Sequence, residues 1–215
     1  MFRENLQNRL AVYLVMGLDA YEGRTALETA KAALEGGITM LQLREKKAPL
    51  SRVLKEARPI RELCREFGVP FIVNDRVDVA LLLEADGVHV GQDDLPGSEA
   101  RRLMGKDAIV GISAGTMEEV EWAVQNGADY LGVGAIYSTL TKGDAGEPIG
   151  TRLLGQIKQR WSRIPMVGIG GIGHGQAAPV VAAGADGVAV VSAIVHSRDP
   201  RLAAERLKLE VLGAR

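Results

Sequence analysis

The sequence predicts an α/β fold, a single (β/α)8 TIM barrel spanning residues 1–215. Three observations carry this expectation. Short apolar runs rich in Val and Ile alternate with longer segments of helical period, the runs number eight, and they are apolar almost throughout rather than at every second position. Near-continuous apolar strands are buried on both faces, as in a parallel sheet. Parallel neighbours need crossover connections, which the helical segments supply. A chain of 215 residues accommodates eight such units in one closed barrel. An open doubly wound sheet is the alternative, but no GxGxxG opens the first unit.

In chain order, the expected strands cover residues 10–16, 39–43, 70–73, 87–90, 108–112, 130–134, 166–169 and 187–191. The expected helices between them cover 25–35, 51–67, 76–83, 98–104, 117–126, 151–159 and 176–183. Pro59 falls inside the second of these and is expected to kink or divide it. Several helices end in glycine before a strand, as in Glu35-Gly36-Gly37-Ile38, Asn126-Gly127-Ala128-Asp129 and Ala183-Gly184-Ala185-Asp186, which suits a left-handed cap. The two Gly-Ala-Asp copies point to a repeated half-unit. From Arg198 onward a mixture of Lys, Arg and Glu reads as a solvated terminal helix.

A net charge of -1 gives no electrostatic case for a nucleic-acid partner or an acidic membrane. No apolar stretch approaches the ~20 residues of a membrane helix. The N-terminal apolar run stops at Gly17-Leu18-Asp19 without a small-residue cleavage site, so it reads as a first strand and not as a signal peptide. A single cysteine, Cys64, forms no internal disulfide and fits a reducing cytoplasm; its expected place is a helix face beside the core. The sequence leaves oligomeric state open, with a homo-oligomer among the options.

Polar residues at the C-terminal ends of barrel strands face the active-site mouth. After the second strand, in Gln42-Leu43-Arg44-Glu45-Lys46, alternation puts Gln42, Arg44 and Lys46 on one side and Leu43 and Glu45 on the other. An amide, a planar fork and a point charge together suit an anion such as phosphate. Asn74-Asp75 follows the third strand and His89-Val90-Gly91-Gln92-Asp93-Asp94 the fourth. Two carboxylates with an open face suit Mg2+, although Asp caps and turns are a common alternative use. His89 is expected to pack inside its strand rather than to bind a ligand. Ser113 follows the fifth strand as a phosphate contact or a loop cap; with no GxSxG and no convincing His partner it is not expected to be a nucleophile. After the sixth strand, Thr139, Thr141 and Lys142 offer two hydroxyls and a cation for wrapping a pyrophosphate. Gly168-Ile169-Gly170-Gly171-Ile172 and Val190-Val191-Ser192-Ala193 follow strands seven and eight, where barrels often bind phosphate on bare backbone N–H groups; Ser192 is a candidate start for the final helix. Two anion sites imply two phosphorylated small molecules or one bisphosphate.

These elements, in this order, resemble the thiamine-phosphate synthase family. The matching stretches are Gln42-Leu43-Arg44-Glu45-Lys46, Asn74-Asp75-Arg76, Gly87-Val88-His89-Val90-Gly91-Gln92-Asp93-Asp94, Gly111-Ile112-Ser113, Thr139-Leu140-Thr141-Lys142, Val167-Gly168-Ile169-Gly170-Gly171-Ile172 and Val191-Ser192-Ala193-Ile194. The family often has proline where this chain has Ser138, and the stretch from Gly143 to Pro148 is variant. The resemblance implies condensation of 4-amino-5-hydroxymethyl-2-methylpyrimidine diphosphate with 4-methyl-5-(2-phosphoethyl)thiazole, giving thiamine phosphate and diphosphate. It implies that Gln42, Arg44, Lys46, Asn74 and Lys142 hold the pyrimidine diphosphate and that Asp75 and Asp94 bind Mg2+. It places Ser113 beside the substrate, and Thr139, Thr141, Gly171, Val191 and Ser192 around the thiazole or product phosphate. Arg44, Lys46, Lys142 and Ser113 are then the residues expected to act at the reacting groups. Two relatives compete: a thiazole tautomerase, which tends to lose the second acidic position and the Thr-x-Thr-Lys loop, and a non-catalytic thiamine-phosphate sensor. An isomerase barrel would need a general acid/base pair that the mouth does not offer.

Overall fold

A computed structural model of the chain describes residues 2–139 and 147–215. Eight parallel strands close in sequence order: β1 (Val12–Met16), β2 (Met40–Leu43), β3 (Phe71–Asn74), β4 (Gly87–Val90), β5 (Ile109–Ala114), β6 (Tyr130–Val133), β7 (Met166–Ile169) and β8 (Gly187–Val190). The seam pairs Val12 with Val188 and Leu14 with Val190. The helices are α1 (Leu6–Arg9), α2 (Ala26–Glu35), α3 (Leu50–Glu66), α4 (Val77–Leu82), α5 (Gly97–Met104), α6 (Met117–Gln125), α7 (Arg152–Arg160), α8 (Ala177–Ala182), α9 (Ser192–Val195) and α10 (Pro200–Ala214).

Alternation within each strand divides the apolar residues into two cores. Tyr13, Val15, Met40, Ile72, Ile109, Tyr130, Val167 and Ala189 face the barrel axis, joined by Leu6 of α1 and by Leu10. Leu14, Leu41, Phe71, Val88, Val110, Leu131 and Val188 face outward into the layer between sheet and helices. Strands buried on both sides have no polar face, which is why their sequences read as unbroken apolar runs. Gly37, Gly127 and Gly184 follow α2, α6 and α8 at φ of 85°, 76° and 117°, the left-handed geometry that favours glycine there.

Three expectations are corrected. Pro59 does not divide α3, which runs unbroken for 17 residues. Pro59 lies on the exposed face, where the carbonyl it leaves without a partner meets water, while Val53, Ala57, Ile60 and Cys64 keep the buried stripe. Ser192 begins the short helix α9 and not the last one. The last helix, α10, is not solvated all round: Ala203, Ala204, Leu207 and Val211 are buried, and it packs on α2 and α8. Its Glu210 carboxylate accepts from Gly175 N at 3.0 Å and from Ala177 N and Ala178 N at 2.8 and 3.2 Å. Those donors open α8, whose own N-cap residue supplies no side-chain bond. Cys64 is buried as expected, and burial pushes its thiol up to about 12.

The repeated half-unit has a physical basis at the N-terminal end of the barrel. The residue before each even strand accepts a hydrogen bond from the N–H near the start of the preceding odd strand. Thr39 Oγ1 takes Val12 N at 2.9 Å, Asp86 Oδ2 takes Phe71 N at 2.8 Å, Asp129 Oδ2 takes Val110 N at 2.8 Å and Asp186 Oδ2 takes Met166 N at 2.9 Å. Asp129, with a side chain only 7% exposed, also holds Arg101 at 2.5 Å and Arg3 at 2.8 Å. Asp129→Ala takes the carboxylate from two guanidinium groups, which keep only backbone carbonyls, and leaves the Val110 N–H without its acceptor. It is expected to cost roughly 3 kcal/mol of stability in urea titration. Turnover per folded molecule should not change, because the strand C-termini lie at the other end of the barrel.

Candidate active site

The C-terminal ends of the strands surround a cavity of about 460 Å³. Its wall includes Arg44, Lys46, Asn74, Asp75, Asp94, Ser113, Thr139, Gly171, Val191 and Ser192. The structure thus gathers most of the residues picked out from the sequence. Thr141 and Lys142 lie outside the described residues.

The β2 end shows how alternation builds the wall. Arg44 and Lys46 face the cavity, while Glu45 turns away and accepts from Lys47 N at 2.9 Å, Ala48 N at 3.0 Å and Leu18 N at 3.3 Å. Burial alone would raise the Glu45 carboxyl; these backbone N–H groups outweigh it and hold the carboxyl below its ordinary value. Gln42, one step deeper, is buried below the cavity wall, and its Nε2 donates to the Tyr13 hydroxyl at 2.7 Å.

The β3 and β4 ends bring two carboxylates together. Asp75 takes a left-handed φ of 59°, held by its N–H on His89 O at 2.8 Å. That conformation costs roughly 1 kcal/mol for a residue with a Cβ and clusters at functional positions. Lys46 Nζ lies 3.2 Å from Asp75 Oδ2. Burial and then the adjoining Asp94 raise the Asp75 carboxyl above its usual range, against the lowering effect of Lys46. Asp94 also has the turn role that its position suggested, its Oδ2 accepting from Gly91 N at 2.8 Å. Among the described residues no three His, Cys, Asp or Glu side chains gather as a cage. Two carboxylates would leave most of a cation's shell to water and to ligand oxygens, which is the habit of Mg2+ and fits a phosphorylated ligand.

The β7 and β8 ends form a second, mostly backbone surface. Gly170 and Gly171 have φ of 98° and 66°. A Cβ on Gly171 would stand 2.4 Å from Ser138 O and 2.8 Å from the Tyr137 Cβ. The segment after β6 therefore lies directly on this turn, and Tyr137 N donates to Gly170 O at 3.0 Å. Glycine here serves loop-on-loop packing as well as close approach to a ligand.

One expectation needs correcting. Ser113 does have a histidine partner, since its Oγ lies 2.9 Å from His89 Nε2. His89 is inside the strand layer as expected, but its ring spans from Ser113 to Tyr130, whose hydroxyl lies 3.0 Å from Nδ1. A phenol on Nδ1 is not the carboxylate orienter of an activated serine, so the pair does not make Ser113 a nucleophile. Sequence reasoning also missed Gln92 and Glu119. Gln92 Nε2 donates to Ser113 O at 2.8 Å, and Glu119 accepts from Gly115 N at 2.6 Å; both line the cavity. The Thr116-x-x-Glu119 capping pattern was the available signal for Glu119.

Comparison with known proteins agrees with this geometry. The family described as thiamine monophosphate synthase matches residues 12–194. A thiamine-phosphate synthase of Moorella thermoacetica is 51% identical over 204 residues, covering 95% of this chain and 97% of the relative. One from Geobacillus thermodenitrificans is 47% identical, covering 98% and 96%. The solved structure of a thiamine phosphate pyrophosphorylase from Pyrococcus furiosus superposes with a TM-score of 0.87 at 38% identity, covering 98% of this chain and 99% of that one. The chain belongs to the thiamine monophosphate synthase family.

Proposed function

We propose that the protein is a thiamine-phosphate synthase. It joins 4-amino-5-hydroxymethyl-2-methylpyrimidine diphosphate to 4-methyl-5-(2-phosphoethyl)thiazole and releases diphosphate. The observation that carries this reading is one cavity with two unlike anion surfaces: Arg44, Lys46 and the Asp75–Asp94 pair on one side, and the Gly171, Val191 and Ser192 turn on the other.

In this reading the first surface takes the diphosphate and the second takes the thiazole phosphate. Mg2+ held by Asp75 and Asp94 would supply charge neutralisation for the departing diphosphate. The C–O bond from the pyrimidine methylene to diphosphate breaks with its electron pair going to oxygen. Arg44 and Lys46 face the anion as that charge concentrates, with Lys142 assigned beside them by family resemblance. The thiazole nitrogen supplies the pair for the new C–N bond, so the chain need provide neither nucleophile nor base. What it supplies is alignment of two substrates and exclusion of water. Thr139 lies on the wall where the segment after β6 enters the site, and Thr141 belongs with it by the same resemblance.

No helix among the described residues is long and apolar enough to cross a membrane. A cytoplasmic setting, with phosphorylated small molecules as partners, fits the single buried thiol and the substrates. Mass spectrometry of the product from the two substrates tests the proposal. Thiamine phosphate is the expected product. A rearranged thiazole alone would favour the tautomerase, and tight thiamine-phosphate binding without turnover the sensor. Lys142→Ala is expected to weaken pyrimidine-diphosphate binding by roughly tenfold or more in calorimetry and thiazole-phosphate binding far less. Equal weakening of both would remove Lys142 from the diphosphate surface.

A further inference from the structure

Inside the barrel, five polar side chains from five strands touch in series. Gln42 Nε2 donates to the Tyr13 hydroxyl at 2.7 Å, and that oxygen lies 2.8 Å from the Tyr130 hydroxyl. Tyr130 lies 3.0 Å from His89 Nδ1, and His89 Nε2 lies 2.9 Å from Ser113 Oγ. Gln42, Tyr13, Tyr130 and His89 are buried, whereas Ser113 lines the cavity. The run therefore has one end in the core and the other at the site.

With Gln42 placed as it is, the series can run in one sense from core to site. An amide nitrogen only donates, so the Tyr13 oxygen accepts from Gln42, and its own single O–H can go to Tyr130. In that sense Tyr130 sends its O–H to His89 Nδ1, the bare nitrogen of a neutral imidazole. The proton is then on Nε2 and is donated to Ser113 Oγ. Ser113 is left with its own O–H to give to the cavity. Turning the Gln42 amide over would reverse every link, and Ser113 would then offer only lone pairs. Such a series switches as a unit, because each hydroxyl has one proton to give. Burial keeps both phenols protonated by raising them above the ordinary tyrosine value.

The strands leave room for this arrangement. A Cβ on Gly111 would stand 2.1 Å from Tyr130 Cζ and 2.5 Å from His89 Nδ1, and one on Gly132 would stand 2.9 Å from His89 Cε1. Both positions face the barrel axis, where any larger residue would displace the His89 and Tyr130 rings.

We propose that Tyr13, Tyr130 and His89 are positioning residues: anchored on Gln42, they hold the Ser113 hydroxyl at the cavity wall as a hydrogen-bond donor to the bound pyrimidine diphosphate. This rests on the reading of the cavity as a pyrimidine diphosphate site. The role given to Gln42 differs from direct ligand contact, since it acts from below the wall and through the series.

Two measurements test the proposal, and the first needs no ligand. Long-range 15N–1H NMR of ligand-free protein labelled in histidine, with His89 assigned by its loss in His89→Gln, reports the tautomer. The neutral Nε2–H form near neutral pH is expected; the Nδ1–H form or an imidazolium would overturn the series. The second is a double-mutant cycle on pyrimidine-diphosphate affinity. Tyr130→Phe is expected to weaken binding about tenfold in the parent and less than about twofold in Ser113→Ala, because its effect passes through Ser113. Equal weakening in both backgrounds would show that Tyr130 does not act through Ser113. Should Tyr130→Phe fail to fold, Tyr13→Phe carries the same cycle. A parent protein that binds no pyrimidine diphosphate would overturn the proposed activity, while the tautomer would still decide the series.

Discussion

Asp75→Ala and Asp94→Ala are each expected to lower turnover by roughly a hundred- to a thousandfold, the scale of losing one main electrostatic contact to developing charge. In the proposed mechanism Mg2+ is held by both carboxylates together, so neither can stand in for the other. Steady-state rates across a range of added Mg2+ check this, and undiminished Mg2+-dependent turnover in both variants would remove the metal assignment. Folding should survive. The Asp75 carboxyl titrates above its unfolded value because of burial and Asp94. Below the unfolded value both states are protonated and there is no penalty. Above the unfolded value the fold loses stability as pH rises towards the folded value, and the ionised group then carries the full cost in the metal-free protein. Asp75→Asn, close in shape and without the charge, should therefore melt no lower than the parent in metal-free buffer near neutral pH while losing turnover.

Gly171→Ala should damage the other half of the site. The added Cβ meets a backbone carbonyl, Ser138 O, at 2.4 Å, and the residue sits at φ of 66°. A backbone oxygen cannot swing aside as a side chain would, so the turn and the segment resting on it must separate. Strain at such a position is of order 1–3 kcal/mol, and loss of the phosphate geometry adds to it. The KM for thiazole phosphate is expected to rise on the order of a hundredfold, with the KM for pyrimidine diphosphate changing by less than about threefold. Initial rates with each substrate varied in turn check the split. Equal rises in both would mean that Gly171 supports the whole mouth and not one phosphate.

Much of this architecture was legible in the sequence, because strands buried on both faces carry a strong local signal. The eight expected strands coincide with β1 to β8 to within two residues at either end. Strand-end position was enough to place Arg44, Lys46, Asp75, Asp94 and Ser113 around one cavity. Features set by tertiary partners were not legible. The sequence of α10 looks polar, and its burial depends on α2 and α8 lying beneath Ala204 and Leu207. Glu84-Ala85-Asp86 belongs to the same strand-pinning device as the two Gly-Ala-Asp copies, yet it lacks their glycine and escaped the pattern. The least legible feature was the contact of His89 with Ser113. Alternation places His89 inside the barrel, but its partners on β5 and β6 come from positions 24 and 41 residues away, and only closure of the sheet brings them together.

The central claim is that this cavity joins a pyrimidine diphosphate to a thiazole phosphate. Its most direct test is diphosphate release by purified protein with each substrate and Mg2+ omitted in turn. The account predicts stoichiometric release of diphosphate and thiamine phosphate only when both substrates and Mg2+ are present. A well-folded sample that releases no diphosphate under those conditions, or releases it equally well without the thiazole phosphate, would contradict it.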